Sequence, residues 1–237
     1  YEAAGHVLFN VSSMPTYGEL SRLKRREILA GARVEIAPYK RAAQDFVLWK
    51  PSDESLPGWE SPWGRGRPGW HIECSAMSHK HLGVSFDIHG GGQDLIFPHH
   101  ENELAQSKCA LGNDSFAKYW MHNGYLMSEG EKMSKSLGNF YTVRNLLEDF
   151  PGESIRLLLL KTHYRQPLDF VRSRLIEAKL ELDKFYNSLD DQACSLTESV
   201  HPSDDFLSTL HDDLNTPLAI SKLHENLKNF NKSTCVK

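Results

Sequence analysis

A strand, a run of glycines and a helix follow one another directly near the middle of this chain, and this order constrains the fold most. Residues 84–89 alternate between apolar and polar side chains, which is typical of a strand with one buried face. The glycines at 90–92 predict a turn, and Pro98 suits the first position of a helix that Gly112 would end. Open α/β sheets bind nucleotides at the carboxyl ends of their strands. The order therefore predicts an α/β fold with the second half of a Rossmann-like nucleotide-binding domain.

The helix expected after Pro98 carries a candidate metal site. His99 and Glu103 are four residues apart, so their side chains project from the same face, one turn apart. With Cys74 they would offer nitrogen, oxygen and sulfur, which are all accepted zinc ligands. The residues alone leave a second interpretation open, in which an ordinary His–Glu contact lies beside a buried free cysteine. The apolar side of this helix is expected to consist of Leu104, Ala105, Cys109, Ala110 and Leu111.

The N-terminal part of the chain is mixed in character. Residues 1–70 contain two candidate strands, at 7–11 and 46–49, because these stretches are rich in β-branched and aromatic residues. Prolines and glycines between 51 and 68 predict a loop. We treat residues 1–70 as one segment with an α+β character, and residues 71–116, which hold the strand and helix described above, as the next.

The C-terminal half is expected to be mainly helical. Residues 117–175 contain two short helices, of which Thr142 caps the first. Residues 176–237 continue a long amphipathic helix and then form two more, which start near Ser203 and at Thr216. The prediction for this last segment is a helical bundle.

Charge and cysteine content argue against several classes of protein. A net charge of −4 is unlike that of a dedicated nucleic-acid-binding domain, which is usually basic. The four cysteines lie far apart and form no CxxC pair, which favours a reduced, cytoplasmic setting. No apolar run approaches the ~20 residues of a membrane span, so no membrane association is expected. Residues 180–215 are strongly acidic, so any RNA contact is expected within the basic segment 118–175.

A short cationic loop supplies the most specific motif. The sequence Lys132-Met133-Ser134-Lys135-Ser136 offers two ammonium groups and two hydroxyls, which suits a polyphosphate. These five residues match the KMSKS signature of class I aminoacyl-tRNA synthetases letter for letter. Residues 69–77, 86–92 and 97–103 also resemble the cysteinyl-tRNA synthetase family. The resemblance covers nearly the whole chain.

The resemblance implies a specific activity. Members of the family activate L-cysteine with ATP and magnesium to cysteinyl-adenylate and then transfer the cysteine to tRNA-Cys. The resemblance also implies one zinc ion per chain, held by Cys74, His99 and Glu103. Such an ion would select the thiolate of cysteine over the hydroxyl of serine through metal–sulfur bonding. A monomer is expected.

The resemblance also assigns residues to the two small substrates. Trp70 and His89 would line the cysteine pocket. Lys135 would be the main cation on the phosphates of ATP as pyrophosphate leaves, and Lys132 would have a secondary role. The other contacts with ATP are expected at the end of the strand: Gly90, Gly91, Gly92 and Asp94.

Each segment has a counterpart in the family that the sequence resembles. Residues 1–70 correspond to a connective insertion that splits the nucleotide-binding fold, residues 117–175 to a stem-contact region, and residues 176–237 to a bundle that supports the tRNA. The family's HIGH signature, a further zinc-ligating cysteine and the anticodon-binding domain have no counterpart in these residues. We therefore expect the sequence to be a fragment.

Three other functions fit parts of the sequence. A related ligase joins cysteine to an amino sugar in mycothiol synthesis and uses the same activation chemistry without tRNA, although residues 212–217 resemble the synthetase better. A non-catalytic zinc-binding fragment or paralogue would explain the expected missing segments. A zinc hydrolase has the least support, because no evident general base accompanies His99 and Glu103.

Overall fold

A computed structural model describes residues 1–24, 37–128, 130–133, 140–190 and 201–234. Two compact units make up the chain, Tyr1–His122 and Asn123–Lys237. Lys135 and most of the KMSKS-like loop lie outside the described residues, as do Cys194 and Cys235. The four-segment division expected from the sequence stays a prediction.

An antiparallel sheet of four short strands begins the first unit. The strands are β1 (Glu2–Ala3), β2 (His6–Phe9), β3 (Phe46–Pro51) and β4 (Gly66–Pro68), in that spatial order. The two strands expected from β-branched and aromatic content are therefore confirmed as β2 and β3. The buried carboxylate of Asp45, immediately before β3, accepts backbone N–H groups from the loops that flank the sheet.

A β–α–β unit follows the sheet and contains most of the predicted site. Helix α1 (Trp70–Leu82) precedes β5 (Ser85–Gly92), and helix α2 (Glu101–Leu111) leads from β5 to β6 (Phe116–Asn123). The N–H of Phe116 donates to Val84 at the start of the β5–β6 pair, and Gly90 lies beside Met121 near its end. The two strands therefore run in the same direction. The α/β class is confirmed, whereas the Rossmann-like assignment stays a prediction.

The expected glycine turn is wrong, because the three glycines are the last residues of β5. Close packing explains their presence. A Cβ on Gly91 would lie 2.9 Å from Cε1 of His100 and 3.0 Å from Cδ1 of Leu95. A Cβ on Gly92 would lie within overlap distance of the Asp94 carboxylate. The missing side chains let the following turns fold back onto the strand.

Helix α2 differs from the prediction in its start and in its buried face. It begins at Glu101 rather than Pro98, because Phe97 is extended (φ −137°, ψ 131°) and interrupts the turn Ile96–His100. Two residues of the expected apolar side are buried, namely Leu104 and Ala105. The other three are exposed and line an apolar cavity of about 380 Å³: Cys109, Ala110 and Leu111. Polar residues fill most of the buried face: Glu101, Asn102, Glu103, Gln106 and Ser107.

A small sheet and five helices form the described part of the second unit. Strand β7 (Leu126–Ser128) pairs antiparallel with β8 (Glu131–Lys132) and parallel with β9 (Leu168–Phe170). The helices are α3 (Val143–Asp149), α4 (Gly152–Leu160), α5 (Arg172–Asp190), α6 (Asp204–His211) and α7 (Thr216–Thr234). One core unites α3, α4, β9 and α5: Leu146, Ile155, Leu158, Phe170, Leu175 and Ala178.

Side-chain caps begin two of these helices; the sequence predicts the cap at Thr142 and, for the other, only a start near Ser203. The Thr142 hydroxyl accepts the N–H of Asn145 at the start of α3, and Ser203 accepts the N–H of Phe206 at the start of α6. Within the described ranges, no helix combines the length and the apolar character needed to cross a bilayer. A helical bundle as a separate C-terminal domain stays a prediction.

A charged cluster fixes the turn between α6 and α7. Arg165 binds Asp213 through two N–H groups, at 2.6 and 3.0 Å, and the hydroxyl of Tyr164 donates to the same carboxylate at 2.7 Å. Asp213 and Leu214 both have left-handed backbones, with φ of 51° and 54°. The turn is therefore held by side chains about 50 residues away as well as by its own backbone hydrogen bonds.

Candidate metal centre

The three predicted metal ligands converge in the first unit. Cys74 lies on α1, His99 lies in the turn before α2, and Glu103 lies on the first turn of α2. One potential ligand atom from each side chain lies within 4.8 Å of the others. His99 and Glu103 are buried and Cys74 is half-buried. The packing of α1 against α2 thus brings a thiol to an imidazole and a carboxylate that are 25 and 29 residues further along the chain.

Glu103 supplies the strongest indication that a cation belongs here. Its side chain is fully buried, and no hydrogen-bond partner among the described residues reaches Oε1. A buried carboxylate oxygen without a partner is costly, because its hydration is lost and nothing replaces it. A metal ion bound by sulfur, nitrogen and this oxygen would remove the cost. The donor set fits zinc.

A second histidine orients His99. Nδ1 of His71 lies 2.9 Å from Nδ1 of His99, which leaves Nε2 of His99 3.6 Å from Oε2 of Glu103. Burial, together with the neighbouring His99, lowers the pKa of His71 to about 4, so this ring stays neutral at pH 7. A hydrogen bond to one ring nitrogen fixes which nitrogen can bind a metal. His71 therefore leaves Nε2 of His99 available as a ligand.

The thiol of Cys74 is protonated in the absence of a cation. Burial raises its pKa, and the negative charges of Glu103 and Glu73 raise it further. A thiolate in this environment therefore needs a positive charge beside it, and a metal ion supplies that charge.

Trp70 and His89, the two residues predicted for the amino-acid pocket, both contact this cluster. The indole of Trp70 stacks on the imidazole of His99, and Nε2 of His89 donates to Oε2 of Glu103 at 3.1 Å. Trp70 is mostly exposed, whereas His89 is largely buried. Sequence reasoning therefore selected five side chains that lie together.

A further histidine, His100, was not among the predicted site residues. It packs on Gly91, and its Nδ1 lies 2.8 Å from Nε2 of His122. His89, His100 and Glu103 also satisfy the spacing of a three-ligand group. Burial and the neighbouring histidines lower the pKa of His100 to about 3. Its only signal in the sequence was its position next to His99.

Glu101 and Asn102, which sequence reasoning also missed, fasten residues 14–21 to the start of α2. We call these residues the strap. The carboxylate of Glu101 accepts the backbone N–H groups of Gly18 and Ser21, and Oδ1 of Asn102 accepts the hydroxyl of Tyr17. The partners are 80 to 85 residues apart in sequence, so no local pattern predicts these contacts.

The predicted nucleotide contacts fall in two places. Gly90, Gly91 and Gly92 end β5, and the exposed Asp94 follows in the next turn. Lys132 ends β8 in the second unit. The structure therefore describes the strand end and the backbone of Lys132, whereas the roles assigned to these residues stay predictions.

Comparison with known proteins decides the family. The profile described as "tRNA synthetases class I (C) catalytic domain" matches residues 1–180. The chain belongs to this family. Among curated relatives, a cysteine–tRNA ligase of Rhodospirillum centenum is 61% identical over 98% of this chain. One of Paramagnetospirillum magneticum is 62% identical over 99% of it.

This class I synthetase chain spans about half the length of the curated relatives it matches, since it covers 51% of each of the two named. A solved structure, the ternary complex of the Agrobacterium radiobacter K84 agnB2 LeuRS with tRNA and LeuAMS, is similar in fold. Its TM-score is 0.52 at 18% identity, over 76% of this chain and 30% of that one. At that identity the likeness concerns the fold alone.

Proposed function

We propose that this chain is part of a cysteine–tRNA ligase. The whole enzyme would activate L-cysteine with ATP and magnesium to cysteinyl-adenylate and then transfer the cysteine to tRNA-Cys. The observation that carries the proposal is the convergence of Cys74, His99 and Glu103, with one oxygen of the buried carboxylate left without a partner. Relatives with this activity at about 60% identity support it.

Cys74, His99 and Glu103 would hold one zinc ion. When bound, zinc would supply a soft Lewis acid that prefers the sulfur of cysteine to the oxygen of serine. His71 keeps the ring of His99 in the orientation that binds metal, and His89 holds Oε2 of Glu103 by a hydrogen bond. These contacts leave Oε1 of Glu103 for the ion.

Trp70 and His89 would line the pocket for the amino acid. The exposed indole of Trp70 forms one wall beside His99, and its stacking keeps that wall next to the metal ligands. His89, whose ring is held by its hydrogen bond to Oε2 of Glu103, would form a second part of the pocket. An aromatic wall and an imidazole beside the metal ligands suit a short amino acid whose side chain ends in sulfur.

The end of β5 would receive ATP. The exposed backbone of Gly90 would meet the nucleotide, Gly91 and Gly92 would contribute backbone contacts beside it, and the exposed Asp94 follows as a polar contact. Lys135, with Lys132 in a secondary role, would stabilise the negative charge that accumulates on pyrophosphate as the cysteine carboxylate attacks the α-phosphorus. The surrounding domain would be the second half of a Rossmann-like fold.

The remaining segments would serve the tRNA. Residues 1–70 would form a connective insertion, residues 117–175 a stem-contact region and residues 176–237 a helical bundle that supports the tRNA. The enzyme would act as a monomer in the cytoplasm. The basic character of residues 118–175 supports an RNA contact there, because counterion release favours binding of a cationic surface to phosphates.

Metal analysis of this chain tests the zinc site. We expect one zinc per chain, and the cobalt-substituted form should show a thiolate-to-cobalt charge-transfer absorption that Cys74→Ser abolishes. Absence of bound metal in the wild-type chain would overturn the zinc site. An unchanged charge-transfer absorption in Cys74→Ser would remove Cys74 from it.

Activity must be tested in a full-length enzyme that carries these residues. Cysteine-dependent pyrophosphate exchange should fall by about 100-fold or more in Lys135→Ala, while its zinc content stays normal. Charging of tRNA-Cys would distinguish the ligase from an amino-sugar ligase, which would instead couple cysteine to glucosaminyl-inositol. An enzyme that binds zinc but performs neither reaction would favour a non-catalytic zinc-binding paralogue.

A further inference from the structure

The strap is joined to the first turn of α2, at a residue between two of the three candidate ligands. Glu101 lies between His99 and Glu103 in sequence, and its side chain is fully buried. Its Oε1 accepts the N–H of Gly18 at 2.9 Å, and its Oε2 accepts the N–H of Ser21 at 2.8 Å. Both oxygens of a charged group are thus used to hold one loop, and hydrogen bonds to charged groups are about twice as strong as neutral ones.

Tyr17 of the strap makes a second set of contacts with the residues around His99. The hydroxyl of Tyr17 donates to Oδ1 of Asn102 at 2.5 Å, and the ring of Tyr17 meets Phe97 edge to face. Burial and the charge of Glu101 raise the pKa of Tyr17, so the hydroxyl keeps the proton that it donates. The strap therefore contacts residues on both sides of the ligand His99, namely Phe97 before it and Glu101 and Asn102 after it.

The turn Ile96–His100, which precedes α2 and carries His99, has little local support. Phe97 is extended within it, and no side chain caps α2, whose preceding residue is His100. The direction of His99 and Glu103 therefore depends on contacts from elsewhere in the fold. The ligands face Cys74, while Glu101 and Asn102 face the strap.

We propose that Glu101 is a positioning residue of the metal centre. By fixing the strap to the first turn of α2, its carboxylate holds His99 and Glu103 in the arrangement that binds the ion. Preorganised ligands lose less conformational freedom on binding, so the affinity for the ion is higher. This inference rests on the zinc site proposed above and adds a second carboxylate that supports the ion without touching it.

The test measures zinc affinity and folding stability in the same variants of this chain. Glu101→Gln keeps the shape of the side chain but places an amide N–H₂ against one of the backbone donors. Asp45→Asn is the matched control, because Asp45 is an equally buried carboxylate that holds backbone N–H groups of Val11 and Ala42. Tyr17→Phe is a milder variant that removes only the hydroxyl bonded to Asn102.

Zinc affinity would be obtained by competition with a chromophoric chelator, and stability by urea unfolding of the metal-free chain. We expect Glu101→Gln to weaken zinc binding by about 10–100-fold, as loss of a group that supports a ligand usually does. Tyr17→Phe should weaken binding less but in the same direction. Asp45→Asn should lose comparable stability and keep its zinc affinity within about twofold, since its partners Tyr1, Val11 and Ala42 belong neither to the strap nor to the ligands.

The outcomes separate this inference from the proposed function. A wild-type chain that binds no zinc would overturn the zinc site of the proposed function and this inference with it. Normal zinc binding by the wild type, with unchanged affinity in Glu101→Gln and Tyr17→Phe, would overturn the inference alone. Equal losses of affinity in Glu101→Gln and Asp45→Asn would also overturn it, because the effect would then follow stability and not the position of the ligands. If Glu101→Gln does not fold, the comparison of Tyr17→Phe with Asp45→Asn decides.

Discussion

Trp70 and His99 lie face to face, with ring centroids 4.4 Å apart and planes inclined by 22°. Trp70 is nevertheless 57% exposed, so this ring contact and not burial fixes the indole. Trp63 is exposed to a similar degree, at 47%, and is a suitable control. We expect Trp70→Ala to lower the free energy of unfolding by about 1 kcal/mol, the usual contribution of an aromatic pair. Urea unfolding should show a smaller change for Trp63→Ala, and equal changes would contradict the stacking argument.

Zinc should stabilise the folded chain. At a free concentration of 100 times its dissociation constant, a ligand that binds only the native state adds about 2.7 kcal/mol. We expect thermal unfolding to shift upward by a corresponding amount, and addition of a chelator should reverse the shift. Glu103→Gln should respond to zinc much less, because it lacks the anionic oxygen. Magnesium is the matched control, since it prefers all-oxygen sites and should leave the melting temperature unchanged.

Gly91→Ala should disturb the histidines beside the metal centre. The added methyl would lie 2.9 Å from Cε1 of His100, which is tighter than carbon atoms tolerate. Such overpacking usually costs about 1–3 kcal/mol. Gly152→Ala is the control, because its methyl would meet only Leu147 at an ordinary 3.5 Å in the first turn of α4. Denaturant unfolding of both variants would measure the two changes in stability. If Gly91→Ala proved as stable as wild type, the packing argument would be refuted.

The carboxylate of Asp213 should contribute a pH-dependent stability in the second unit. Hydrogen bonds from Arg165 and Tyr164 lower its pKa from 3.8 to about 2. A lowered folded-state pKa means that the contribution is present above the unfolded value and is lost as the pH falls from about 4 to 2. We expect Asp213→Asn to melt a few degrees lower at pH 7.

Acid unfolding curves would check this pH dependence, because the difference between Asp213→Asn and wild type should narrow below pH 4. The pair is solvent-exposed, so added salt should also reduce the difference. Asp212→Asn, an adjacent exposed carboxylate, is the control. A gap between wild type and Asp213→Asn that stayed constant from pH 7 to pH 2 would show that the charge is not the cause.

The regular elements could be predicted because their signals are local. Alternation in β5, the cap at Thr142 and the proline after Thr216 each depend on a few neighbouring residues, and each element formed where expected. Although α2 begins after His99, the side chains of His99 and Glu103 still project in the same direction, since both lie beside Cys74. Local pattern was therefore sufficient for most helices and strands and for the shared face of His99 and Glu103, whereas the resemblance to the family added Cys74 to them.

The buried face of α2 and the place of the glycines in β5 depend on tertiary contacts, which local sequence patterns do not reveal. The apolar side expected for α2 was wrong, because the helix buries carboxylates and amides whose partners are backbone groups of the strap and histidines of other elements. Hydrophobic periodicity assumes that buried residues are apolar, so it fails where polar groups find partners. The glycines of β5 were assigned to a turn for a similar reason: their close contact with His100 and Leu95 is visible only in three dimensions.

The left-handed backbone of Asp213 and Leu214 affects whether α6 and α7, which we call the C-terminal helical hairpin, can keep their structure as an isolated peptide. Each non-glycine residue in that conformation costs about 1 kcal/mol. Backbone N–H groups of Leu214 and Asn215 donate to Leu210 and Thr209 at the end of α6, and the side-chain anchors of the bend are Arg165 and Tyr164, which belong to the loop after α4. A synthetic peptide covering only α6 and α7 would therefore lack the anchors of its own bend and should sample many interhelical angles in water.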